Sequence, residues 1–155
     1  MSTFTVSRST EVAAPSHRIM PLVEDFRAWR QWSPWEELDP ELRRTYEGAT
    51  SGVGATYAWE GNRKAGAGSM EIFAATPESL RIVLRFLKPW RATNDVVFTF
   101  APQGEGTRVT WTMIGTHTGM AKLFARFLNL EKLVGPDLEK GLARLKTVAE
   151  STATA

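Results

Sequence analysis

The feature that most constrains this chain is its last quarter. From Gly119 to Glu150, the apolar residues Met120, Leu123, Phe124, Phe127, Val134, Leu138, Leu142, Leu145 and Val148 recur at three- and four-residue steps. That is the period of one helix face. Lys122, Arg126, Lys132, Glu139, Lys140, Arg144 and Lys146 fall mainly on the other face. The preceding stretch, from about Thr45 to His117, alternates like strands. An amphipathic helix that follows many strands needs a sheet on which to bury its stripe. The expected class is therefore α+β, a curved antiparallel sheet wrapped around a C-terminal helix with a cavity between them.

The strands are marked by parity and by turns. Thr3 to Ala13 reads as a first strand, stopped at Pro15-Ser16. Ser16 suits the N-cap of a short helix through Ile19, Leu22, Val23 and Phe26, which Pro21 should bend or shorten. Arg27 to Trp32 suits a second short helix or turn, and Trp35 to Pro40 a loop. Six strands follow, over Leu42–Glu47, Ala55–Glu60, Gly66–Thr76, Glu78–Leu87, Arg91–Ala101 and Thr107–Thr116. Gly61-Asn62 and Gln103 to Gly106 supply turn signals, and such regular spacing predicts a meander. In the C-terminal run, Gly135-Pro136 divides a helix from Met120 to about Leu133 from a longer one over Pro136–Glu150. One kinked helix is the alternative.

A chain of 155 residues, 43% hydrophobic and 23% charged, is expected to form one domain over 1–150 with a short tail at 151–155. A net charge of +2 argues against nucleic acid as partner. No apolar run reaches the length of a membrane span, and no signal peptide is visible, so the cytoplasm is the expected compartment. The absence of cysteine removes disulfide and thiol chemistry. Two distant histidines give no metal signature, there is no GxSxG or P-loop, and no cofactor is expected. The unusual feature is six tryptophans, Trp29, Trp32, Trp35, Trp59, Trp90 and Trp111, whose large faces must be buried or used.

Several segments carry a resemblance. They are Trp29-Arg30-Gln31-Trp32-Ser33-Pro34-Trp35, Tyr57-Ala58-Trp59-Glu60-Gly61-Asn62, and Gly66-Ala67-Gly68-Ser69-Met70. Leu84-Arg85-Phe86-Leu87-Lys88-Pro89, Thr107-Arg108-Val109-Thr110-Trp111 and Gly141-Leu142-Ala143-Arg144-Leu145-Lys146 continue the series. In this order they resemble the SRPBCC branch of the START-like superfamily, the polyketide cyclase/dehydrase-like proteins. The resemblance implies the helix-grip fold and a deep apolar pocket between sheet and helix. It does not imply one reaction, because cyclases, hydrolases and lipid carriers share the fold.

The inward parity of Tyr57, Trp59, Phe86, Phe98 and Trp111 suits either a filled core or an aromatic pocket wall. Met70, Ile72, Met113 and Phe124 would complete that lining. Trp32 and Trp35 would form either a lid or a plug. Three residues could move a proton or hold a polar group. Glu60 lies at a strand end, where an exposed carboxylate is the plainer reading, and Asn94 suits either a cavity contact or a turn. His117 ends the last strand and could reach a cavity mouth, or lie at the surface. The expected function is binding of a hydrophobic or aromatic small molecule, lipid- or polyketide-like, by a monomer or homodimer. A cyclase or dehydratase using one of these groups as acid or base is the alternative.

Overall fold

The computed structural model describes residues 2–88, 91–117 and 130–153. In chain order these form β1 (Ser2–Val12), α1 (Ser16–Glu24), two short 3₁₀ segments (Phe26–Gln31 and Pro34–Glu37), β2 (Arg43–Gly48), β3 (Ala55–Glu60), β4 (Ala67–Thr76), β5 (Ser79–Lys88), β6 (Ala92–Gln103), β7 (Gly106–His117) and α2 (Leu130–Ala153). The strands make one seven-stranded antiparallel sheet in the order β1-β7-β6-β5-β4-β3-β2. The segment β2 to β7 is the expected meander. β1 closes it by pairing with β7 from Ser2↔His117 to Val12↔Thr107. Strands adjacent in sequence, β1 and β2, therefore stand on opposite edges, and α1 with the two 3₁₀ segments spans the concave face between them. This is the helix-grip arrangement.

Curvature has a local cause. The β4–β5 ladder slips register at Ala67/Gly68 and again at Ile72/Ala74, leaving Leu87 and Phe73 without a partner. Such bulges bend a sheet and increase its twist. The two bulged residues are also large apolar side chains left in solvent, at 50% and 44% exposure, so their exposure follows from the bend. Gly66 takes φ +65° just before the first bulge, which a residue with a Cβ would resist.

Three expectations need correction. Ser16 does not cap α1: the N-cap position is Pro15, in extended conformation and without a side-chain bond. Ser16 is instead the first helical residue. The stretch after Ser33 is not wholly loop, because Pro34–Glu37 forms a 3₁₀ turn with proline in its first turn. The Gly135-Pro136 break does not occur either, since α2 runs unbroken from Leu130. Pro136 is exposed, so the carbonyl deprived of its helical donor can turn to water. The predicted residues Met120 to Asn129, Phe124 among them, and Trp90 lie outside the described residues.

α2 buries Leu138, Gly141, Leu142, Leu145 and Ala149. Polar ties fix its rotation. Arg8 meets Glu139 at 2.9 Å, Arg144 meets Glu37 at 2.7 Å, and Lys146 donates to the Glu11 carbonyl at 2.8 Å. Gly141 lies on the Trp111 ring, where an added Cβ would come within 2.8 Å of Cζ3 and 3.2 Å of Pro34 Cδ. In an exposed helix, Gly→Ala stabilises by about 1 kcal/mol. Here the obstacle is a fully buried ring, and overpacking costs about 1–3 kcal/mol. Gly141→Ala should therefore lower the melting temperature in a thermal scan. A rise would mean that the Trp111–helix seam can yield.

Candidate functional site

The concave face divides into two halves of different character. One half is solid. Trp29 and Trp32, carried by the first 3₁₀ segment and the residue after it, insert over Phe98 of β6 and Trp111 of β7. The centroid distances from Trp32 are 6.1 Å to Phe98 and 5.5 Å to Trp111. Trp29 and Trp32 donate their indole N–H groups to the carbonyls of Val23 and Leu22, both at 2.8 Å, so neither is left with an unmet donor. Trp35 packs on Trp111 at 5.3 Å and donates to Asp137 of α2 at 3.2 Å. Trp32, Phe98, Trp111 and Ile72 have no solvent exposure. The Trp111 N–H is buried without a hydrogen-bond partner among the described residues. Its surroundings are aromatic edges and faces, which offer only weak π acceptors.

The other half is looser. One cross-strand rank runs from Phe4 on β1 through Gly115, Asn94 and Leu84 to Met70, Tyr57 and Tyr46 on β2. The next rank outward holds Ala92, Phe86, Gly68, Trp59 and Arg44. Two positions in these ranks are glycines, and in each case an aromatic ring occupies the place of the missing side chain. The Trp59 indole lies over Gly68, and the Phe4 ring lies over Gly115. Trp59 donates to the Ala65 carbonyl at 2.9 Å and meets Phe86 edge-on at 6.0 Å. Phe4, Trp59 and Phe86 are only half-buried, unlike Trp29, Trp32 and Trp111 of the solid half. Met70 and Met113 lie beneath them at 6% and 3% exposure.

Asn94 sits inside β6, paired with Leu84 and Gly115, and so has no turn role. It is 7% exposed, and its Nδ2 donates to Met113 Sδ at 3.7 Å. Glu60 is on the convex side, exposed and bonded to Arg43 at 2.8 Å. His117 ends β7, and its side chain is outside the described residues.

A polar cluster that sequence reading missed stands at the β2 edge. Arg44 Nε donates to Glu36 Oε2 at 2.6 Å and Arg44 Nη2 to the Glu36 carbonyl at 3.0 Å. Both side chains are largely buried, at 15% and 7% exposure. Burial of Arg44 works against its charge, but the bond to Glu36 and the attraction of its carboxylate raise the guanidinium pKa above its ordinary value. Burial, reinforced by the Glu36 charge and its hydrogen bond, pushes the Tyr57 phenol well above the usual tyrosine range. Tyr46 lies beside Tyr57 at 5.2 Å, and its hydroxyl is buried without a partner among the described residues. The available signal was parity: Arg44 and Tyr46 alternate inward on β2 opposite Trp59 and Tyr57. An inward arginine on a strand needs a buried anion.

Among the described residues no group of acids and histidines could hold a metal ion, and no helix is long and apolar enough to cross a membrane. With the geometry established, comparisons define the class. The family described as polyketide cyclase/dehydrase and lipid transport matches residues 3–150, and the chain belongs to it. No curated protein matches by sequence. Solved structures share the fold. Protein MLL2253 from Mesorhizobium loti has a TM-score of 0.69 at 14% identity, over 96% of this chain and 98% of that one. Protein Ms6760 from Mycobacterium smegmatis has a TM-score of 0.62 at 24% identity, over 96% and 92%. DynU16, from the dynemicin biosynthetic locus, has a TM-score of 0.62 at 18% identity, over 96% of this chain and 48% of its own.

Two outcomes follow from the edge cluster. Glu36→Ala leaves Arg44 buried without its anion and should cost about 3–5 kcal/mol in a denaturant titration. Glu60→Ala removes an exposed pair and should cost under about 1 kcal/mol. Equal costs would show that the Glu36 pair behaves as a surface one. The Tyr57 phenol has its pKa raised on folding, so its contribution is complete below the unfolded value of about 10 and is lost as pH rises beyond it. Tyr57→Phe should therefore unfold less steeply with pH than the parent chain above about pH 10. Parallel curves would remove Tyr57 from the alkaline transition.

Proposed function

We propose that this protein binds a hydrophobic or aromatic small molecule, lipid- or polyketide-like, between the concave face of its sheet and the C-terminal helical region. The site is the half of the face around Gly68 and Gly115, with Trp59, Phe86, Met70 and Met113 as its walls. The observation that carries this reading is the contrast between the two halves. Trp29, Trp32 and Trp111 fill one half at no more than 2% exposure, while in the other the Phe4 and Trp59 rings lie over glycines and keep part of their surface free. Aromatic, largely apolar walls with a few polar groups are what ligand sites of this kind present. Asn94 and Tyr57 stand three strands apart in one rank, about 14 Å at ordinary strand spacing. That span suits an acyl chain or fused-ring ligand.

Binding is favoured over catalysis by the state of the acids. A cyclase or dehydratase needs a group free to move a proton. Glu60 faces outward on Arg43, and Glu36 is committed to Arg44. Membership in a family of cyclases and lipid transporters is compatible with a carrier that performs no chemistry.

The test is a titration with the uncharged dye Nile red, alongside native mass spectrometry of protein purified from its own host. Wild-type protein should bind the dye and carry a co-purified small molecule. Trp59→Leu should weaken dye binding about tenfold, the loss of part of one aromatic contact face, about 1.4 kcal/mol. Unchanged affinity in both Trp59→Leu and Phe86→Ala would place the ligand elsewhere.

A further inference from the structure

We infer that the ligand presents to the interior an uncharged end that both donates and accepts hydrogen bonds, and that the Asn94 carboxamide reads it. This rests on the binding site just proposed and specifies the chemistry that site selects. A carboxamide has two N–H donors and an oxygen with two lone pairs. Asn94 uses one donor on a thioether sulfur at 3.7 Å, a poor acceptor, and no other hydrogen bond to its side chain is formed with the described residues. Its oxygen lies over Gly115, beside the Phe4 ring. The carboxamide, 7% exposed, thus keeps hydrogen-bonding capacity that the described residues do not take up.

Nothing structural accounts for it. Asparagine is disfavoured in strands, and its usual reasons for being there are a turn, a bulge or a cap. Position 94 has none of these, since β6 is in regular register with both neighbours at this point. Leucine or valine would fit the local pattern, because the flanking Leu84, Val96 and Met113 are apolar and at most 3% exposed. The amide is therefore placed to meet a group that the described residues do not supply.

The same surroundings define that group. The described side chains beside Asn94, those of Phe4, Leu84, Val96 and Met113, are all uncharged, so a carboxylate or sulfate brought to it would be desolvated without a counter-charge from them. A neutral carbonyl with an adjacent N–H or O–H fits both edges of the carboxamide at once. A hydrocarbon would leave the amide as it is, and a site built to hydrogen-bond discriminates strongly against an analogue that lacks the partner.

The experiment compares three probes of one shape, 2-naphthamide, 2-isopropylnaphthalene and 2-naphthoate, by calorimetry and tryptophan quenching on wild-type protein and Asn94→Leu. The ratio of amide to hydrocarbon affinity should fall about tenfold or more in the variant, with hydrocarbon binding retained. In wild-type protein naphthoate should bind at least about tenfold more weakly than the amide. Asn94→Val, better suited to a strand, repeats the measurement if the leucine variant does not fold. A ratio unchanged in the Asn94 variants overturns the inference while the binding site stands. So does naphthoate binding as tightly as the amide. Failure of every probe to bind wild-type protein overturns the binding site itself.

Discussion

The packing of two tryptophans against the sheet decides where everything else can go. Trp29 and Trp32 must bury large rings and also satisfy two indole N–H groups. They do both by lying against Phe98 and Trp111 while donating back to the carbonyls of α1. This locks α1 and the first 3₁₀ segment onto β6 and β7. It also fills the part of the concave face around Phe98 and Trp111, apart from the proposed site around Gly68 and Gly115. The position of the proposed site is thus a consequence of core packing.

The four-residue turn Pro34–Glu37 has an influence out of proportion to its length. Glu36 ties it to the edge strand β2 through Arg44, and Glu37 ties it to α2 through Arg144. Trp35 between the strand and helix sides touches both Trp111 and Asp137. One rigid turn therefore links the far edge of the sheet to the helix that crosses it. The buried Glu36–Arg44 pair contributes specificity of placement more than net stability, because the desolvation of both groups offsets much of their attraction. The exposed Glu37–Arg144 pair is weaker and screened by salt. Together they fix an arrangement that apolar contacts alone would leave free to slide.

Legibility followed the range of the physics. Val109, Trp111 and Met113 alternate with Thr110, Thr112 and Ile114, and that parity alone assigned β7 its inward face. The corrections came where two local rules competed. Pro136 carries a strong break signal, yet α2 continues through it because the residue is exposed and the buried stripe from Leu138 onward holds the helix in place. Ser16 is a good capping residue, but Pro15 already holds the extended conformation that the cap position requires. Glu60 and Asn94 are both polar residues of strands. Parity turned the first outward, and only cross-strand pairing separated Asn94 from a turn.

By itself the sequence determined the α+β class, the meander, the apolar helix stripe and the inward aromatic set, because each depends on periodicity within a few residues. Tertiary structure alone decided which aromatics pack solid and which keep a free face, since that depends on Trp29 and Trp32 arriving from a segment some seventy residues from the strands they cover. It also decided the pairing of Glu36 with Arg44 and the position of the Asn94 amide between Leu84 and Gly115. Hydrogen-bond satisfaction is a property of neighbours in space, and neighbours in space are set by register and packing.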